Sequence, residues 1–176
     1  MSSNPLKIIK TDVANFDSLI DLKRALQDSG HPWLNSYPVE NESPKNYIRR
    51  IINCETIPPH PFVPETIYWG LVGDTIVGRT GVRHHLNEKL EKFGGHIGYE
   101  IHPAHRDKGY ATEMLRQVLQ TDLVRRIGKV LLTCAPDNVA SNKTILSNGG
   151  VCTQKIYVDF IEEDRNHYWI DVTQSS

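Results

Sequence analysis

Residues 94–111, GGHIGYEIHPAHRDKGYA, constrain this chain more than any other stretch. Alternation over 96–102 predicts a strand, Pro103 opens a turn, and Gly109 leads into an amphipathic pattern. Strand, turn and helix N-terminus then bring several unpaired main-chain N–H groups to one small volume. The helix dipole adds partial positive charge, so such a bend holds an anion without any basic side chain being essential.

What surrounds the bend limits the fold class. Residues 6–10 (LKIIK) form a strand candidate, and Asp12 or Asn15 caps a helix carrying Phe16, Leu19, Ile20, Leu22 and Leu26 and ended by Gly30. Residues 31–38 form a proline-marked loop with two aromatics, Trp33 and Tyr37. Ser43 caps a second helix through Tyr47, Ile48, Ile51 and Ile52, with Pro44 in its first turn. The β-rich runs 66–72 and 75–82 meet at Gly73-Asp74, a hairpin signal, and the charged run 87–92 is expected as an exposed hairpin loop. After the bend, Ala111, Met114, Leu115, Val118, Leu119 and Leu123 share one face of a long helix closed by Gly128. Val130-Leu131-Leu132 reads as a strand covered on both faces, so strand, helix and strand predict a right-handed parallel crossover. A short helix over 138–148 and closing strands at 151–160 and 167–172 complete the chain. The expected fold is α/β, with a mixed, mostly antiparallel sheet of about six to seven strands and one parallel pair joined by a crossover helix.

Composition excludes several classes. The 176 residues suit one domain, 1–176, with a single sizeable core. Twenty Lys+Arg against 21 Asp+Glu give no basic excess, so nucleic acid is not an expected partner. No apolar run is long enough to cross a bilayer, and Met1-Ser2-Ser3-Asn4 does not begin a secretory signal. Three distant cysteines, Cys54, Cys134 and Cys152, fit reduced thiols in a cytoplasm. His84 and His85 are adjacent on a strand and point oppositely, so no metal site is expected.

Arg106-Asp107-Lys108-Gly109-Tyr110-Ala111 fits an Arg/Gln-x-x-Gly-x-Gly/Ala signature and resembles the phosphate turn of the GNAT superfamily of N-acetyltransferases. Cys134-Ala135-Pro136-Asp137-Asn138-Val139-Ala140-Ser141, followed by Asn148-Gly149-Gly150, is similar to that family's second motif. The resemblance is firm over 66–151. It implies that the turn grips the pyrophosphate of acetyl-coenzyme A and that two central strands splay to admit the pantetheine arm. Main-chain groups of Tyr99, Ile101 and His102 would pair with that arm. Arg106, Asp107, Lys108, Gly109, Tyr110 and Ala111 would surround the phosphates, with Asn138 and Ser141 on the facing helix. A Cβ on Gly109 would fill space the pyrophosphate needs. A bulge at Gly98 would supply the splay. The implied partner is a small-molecule or peptide amine, the implied assembly a monomer or homodimer, and the rival reading a non-catalytic acyl-coenzyme A-binding domain.

Acetyl transfer to an amine needs a base, an oxyanion donor and a leaving thiolate. A main-chain N–H on the splayed strand supplies the oxyanion contact. Glu100 and His96 are the candidate bases. Alternation puts both on one face with Gly98 and His102, but a bulge at Gly98 would separate them, so either can look into the site. The tyrosine that many relatives use as general acid is matched here by Ile145, which leaves Tyr157, Cys134 or water as the proton source, or no acid at all if the coenzyme A thiolate leaves unaided. Trp33 and Tyr37 are candidates to wall the acceptor site.

Overall fold

The computed structural model describes residues 5–12 and 43–173. In chain order these form β1 (Leu6–Lys10), α1 (Pro44–Cys54), β2 (Glu65–Val72), β3 (Thr75–Arg83), α2 (Glu88–Lys92) and β4 (Ile97–Ile101). A 3-10 turn (Pro103–His105) leads to α3 (Tyr110–Val118), α4 (Asp122–Ile127), β5 (Lys129–Cys134), α5 (Val139–Ser147), β6 (Val151–Val158) and β7 (Glu163–Asp171). The helix expected between residues 12 and 30 and the loop bearing Trp33 and Tyr37 lie outside the described residues.

The strands form two sheets, ordered β1-β2-β3-β4 and β5-β7-β6, and every ladder among the described residues is antiparallel. The expected single sheet is therefore divided between β4 and β5, the pair expected to splay, and no parallel ladder joins these two strands among the described residues. The two strands touch where β4 begins: the His96 N–H donates to the Leu131 carbonyl at 2.7 Å, and the Leu131 N–H donates to His96 Nδ1 at 2.9 Å. Gly95 permits this approach, because a Cβ there would overlap the Leu131 carbonyl oxygen. The imidazole takes the Leu131 N–H that a ladder would use, and β7 pairs with β5 along its whole length.

The bulge expected at Gly98 is not found. β4 stays in unbroken register with β3, Gly98 directly opposite Gly81, and register shifts fall at Gly70/Leu71 and Cys152/Gln154 instead. Thr80 Oγ1 donates to the Gly98 carbonyl at 3.0 Å, which holds this part of β4 in line.

Two local readings also change, each through a cap. Residues 87–92 are a short helix rather than a loop, since Asn87 accepts the Leu90 N–H at 2.9 Å. The expected long helix after the bend is two helices: Thr121 Oγ1 donates to the Val118 carbonyl at 2.7 Å and accepts the Val124 N–H, ending α3 and starting α4. The closing strand β7 starts at Glu163, earlier than expected, after a turn with Glu162 at φ 53°.

α3 fills the space beneath both sheets. Leu115 and Val118 join Val82 and Ile97 of one sheet with Val130, Leu132, Tyr168 and Ile170 of the other, and Met114 packs with Leu6, Val77 and Ile101. Met114, Leu115 and Val118 are fully buried, each contributing roughly 1.5–3 kcal/mol. A second cluster on the opposite face of the first sheet joins Tyr47, Ile48 and Ile51 of α1 to Ile67, Trp69 and Ile76. β4 thus has a packed face towards α3 and another face turned away from it.

Candidate active site

The phase of the β3–β4 ladder decides what β4 presents to the gap. At its two ends the Arg83 N–H donates to the His96 carbonyl at 2.8 Å and the His102 N–H to the Val77 carbonyl at 2.9 Å. Antiparallel main-chain groups alternate in direction. Those of Gly98 and Glu100 therefore turn to β3, and those of Ile97, Tyr99 and Ile101 turn towards β5. The side chains alternate the other way. Ile97 and Ile101 are buried against α3, while Glu100 faces away from it.

Beyond β4 the chain makes the bend. Gly109 occupies the left-handed region at φ 77°, ψ 2°, and caps α3 without a side-chain bond. A Cβ at Gly109 would meet no protein atom within 4 Å. Asp107 also has positive φ, 61°. The first N–H groups of α3 have no partner inside the helix and point out of this end. Arg106 Nε donates to the Ile101 carbonyl at 3.2 Å, so its side chain braces the bend against the end of β4.

A cavity of about 600 Å³ lies between this bend and α5. Of the residues assigned above to cofactor contact, all but His102 and Lys108 line it. His102 instead caps the 3-10 turn, Nδ1 accepting the Ala104 N–H at 3.2 Å. Asn138 lines the cavity and also caps α5, accepting the Ser141 N–H at 3.0 Å. The Tyr99 hydroxyl lies 2.8 Å from Ser141 Oγ, and burial pushes its pKa up to about 12, so it stays protonated. The cavity gathers an open left-handed glycine, a helix N-terminus and an edge of β4 that no described strand pairs, donors of the kind that can receive a diphosphate.

A second cavity, of about 680 Å³, opens on the other face of β4. Its floor is Glu65 and Ile67 of β2, Arg79, Gly81 and Arg83 of β3, and Gly98 and Glu100 of β4; residues 61–63 and the α2 region, with Phe93, wall it. Gly81 makes room for a partly buried ion pair: a Cβ there would overlap the Glu65 carboxylate, whereas one on Gly98 would make only an ordinary contact, 3.8 Å from the Arg83 guanidinium. Arg83 Nε lies 3.6 Å from Glu65 Oε1, and Arg83 Nη1 donates to the Gly94 and Gly95 carbonyls at 3.2 and 3.0 Å. Glu65 and Arg83 thus fix the point where β4 leaves β5.

Tyr99 and Glu100 line both cavities. The two spaces meet at these residues, with Glu100 opposite Arg79 across the ladder. His96 is elsewhere. It is buried at the clasp, beside Trp169, and lines a groove with His84 and His85. Burial, then the Arg83 and His85 charges, lower its pKa to about 4, and its Nδ1 already accepts the Leu131 N–H. The structure therefore brings Glu100 to the junction and keeps His96 away from it.

The alternative proton donors are equally separated. Ile145 is in the core, 1% exposed. Cys134 is buried, burial pushes its thiol pKa up, and Tyr157 is exposed on β6; neither lines the two cavities. Arg79 and Glu65 were missed in the sequence. Alternation along residues 75–83 puts Arg79, Gly81 and Arg83 on one face, but nothing local marks that face as a cavity floor.

Comparison with known proteins agrees with this geometry. Residues 14–151 match the acetyltransferase (GNAT) domain family. The chain is 36% identical over 115 residues to the uncharacterized N-acetyltransferase YoaA of Bacillus subtilis (strain 168), a match spanning 59% of this chain and 62% of that protein. Among solved structures, YncA of Salmonella typhimurium, a putative acetyltransferase with its cofactor acetyl-CoA, superposes with a TM-score of 0.62 at 15% identity, covering 98% of this chain and 97% of that one. Spermidine N-acetyltransferase of Vibrio cholerae, in complex with CoA and spermine, gives 0.61 at 14% identity, covering 96% of each chain. At these identities the two structures show a shared fold.

Proposed function

The chain belongs to the GNAT acetyltransferase family, and from that premise we propose that it moves the acetyl group of acetyl-coenzyme A to a primary amine, with Glu100 as general base. The observation that carries this reading is the shared lining of the two cavities by Tyr99 and Glu100. A donor bound on one face of β4 and an amine bound on the other meet only there.

The N-terminal turn of α3 and the bend at 106–109 hold the pyrophosphate through main-chain donors, with Gly109 leaving the necessary space. The strand edge at Tyr99 and Ile101 pairs with the pantetheine amides, as an added strand would. Acetyl-coenzyme A supplies an activated acyl group. Glu100 accepts the proton of the incoming ammonium, directly or through one water. The Tyr99 N–H, turned into the gap, donates to the charge that develops on the acyl oxygen. The Tyr99 hydroxyl orients α5 through Ser141. Collapse of the tetrahedral intermediate breaks the C–S bond, and the second proton of the attacking nitrogen passes through water to the leaving thiolate, since Ile145, Cys134 and Tyr157 offer none at the junction.

The test is thiol release from acetyl-coenzyme A across a panel of primary amines, with product mass measured in parallel. Amine-dependent release with a matching acetylated product is the expected result. Hydrolysis alone across a broad panel would replace this reading with that of an acyl-coenzyme A-binding domain.

A further inference from the structure

The acceptor cavity holds a cation, Arg79, that pairs with no carboxylate among the described residues. Arg79 lines the cavity half-buried, directly opposite Glu100 in the β3–β4 register. Its hydrogen-bond partner among the described residues is the Tyr47 hydroxyl at 3.5 Å, at the limit of a hydrogen bond, and no described carboxylate pairs with it. The neighbouring cations are committed. Arg83 is held by Glu65 and two carbonyls, and Lys89 Nζ sits 5.0 Å from the centre of the Phe160 ring.

A guanidinium drawn partly out of water without an anion is costly, and its planar donor fork matches a carboxylate. We infer that Arg79 receives a carboxylate of the acceptor, so that the acceptor is a small zwitterion whose primary amine lies within a few bonds of a carboxylate.

This rests on the reading of Glu100 as the group that meets the amine. Directly paired residues have Cβ atoms about 4.5–5.5 Å apart. An amine and a carboxylate carried on one small molecule, as in an amino acid, are therefore within reach of both. Charge points the same way. Among the described residues the cavity is lined by three cationic side chains, Arg79, Arg83 and Lys89, against two carboxylates, Glu65 and Glu100. A polyamine would add cations beside that excess, whereas a zwitterion adds no net charge.

The experiment compares free amino acids with their methyl esters and decarboxylated amines, in the thiol-release assay with acetyl-coenzyme A. The free acids should exceed the matched esters in kcat/KM by at least about tenfold, the discrimination of one lost charge-assisted contact. Arg79→Gln should erase that preference by raising KM for the acid towards that of the ester, and Arg79→Lys should restore part of it. Equal use of acids and esters by the wild type, or KM rising together for both in Arg79→Gln, would overturn the inference and leave the transferase reading intact. If no amine is acetylated, the transferase reading falls. Calorimetric titration with the same acids and esters then decides the subsite: Arg79-dependent binding of the acids alone upholds it, and equal or absent binding removes it.

Discussion

The two ends of β4 are built on opposite terms. At its start, Gly95 and His96 lie against Leu131, and two hydrogen bonds to that residue close the space between the sheets. Three residues later, the main chain of Tyr99 faces a gap large enough to be a cavity wall. No bulge separates the two conditions, because β4 keeps its register with β3 throughout. The opening is made by stopping the contact with β5. It is set by a close approach only glycine allows, by an imidazole that uses the last shared N–H, and by the Glu65–Arg83 pair that anchors the carbonyls of Gly94 and Gly95. A binding gap in a sheet can therefore be specified by a firm closure at one end.

That contrast can be broken experimentally. The largest effect is expected from Gly95→Val, which puts a branched side chain at φ 62° and into the Leu131 carbonyl. It should cost more than about 4 kcal/mol or prevent folding, read as the urea midpoint; an unchanged midpoint would mean the closed end is not held by this approach. At the open end, Glu100→Gln should lower kcat by about 10²–10⁴-fold while acetyl-coenzyme A affinity is retained. A normal turnover number would clear Glu100 of the base role.

Gly109→Val tests the bend beyond the open end. No protein atom obstructs the new side chain, so the fold should persist at about 1–2 kcal/mol of left-handed strain. Acetyl-coenzyme A affinity should fall by about a thousandfold, about 4 kcal/mol. Calorimetry showing wild-type affinity would remove the phosphate assignment.

The smallest effect concerns the clasp itself. His96 is held at a pKa of about 4, against 6.5 for a free imidazole. Between those values the unfolded chain binds a proton that the folded chain refuses, so stability falls as pH drops from about 6.5 to about 4 and levels off below. The full loss is about 3 kcal/mol. Replacing His96 with Asn should flatten this acid limb in urea midpoints taken between pH 4 and 8; an identical limb in both proteins would show that the ring is not buried neutral.

Much of the donor side was legible in the chain. Gly109 marked the bend, the apolar spacing of Met114, Leu115 and Val118 marked the packed face of α3, and the run from Asn138 marked the start of α5. Each is a local property, fixed by φ, by helix period or by a short side chain reaching a nearby N–H. The breaks were less visible. Thr121 ends one helix and starts another with a single hydroxyl, and Asn87 turns a charged loop into a helix, because caps act at single residues within a pattern that otherwise continues.

The acceptor side was not legible for a different reason. Arg79, Glu65, Gly81 and Glu100 come from three strands and converge only through register. Sequence alone could not say which of Glu100 and His96 looks into the site, since both fall on the same alternation. The fold separates them because His96 lies before the strands part and Glu100 after.

By itself, the sequence determined the bend at residues 106–109, the buried face of the helix that follows it and the family they mark, because glycine geometry and apolar period act over a few neighbouring residues. The tertiary structure decided where the sheet opens and which charges face one another across it. Those depend on contacts between segments far apart in the chain, whose energies exist only once the strands are in register.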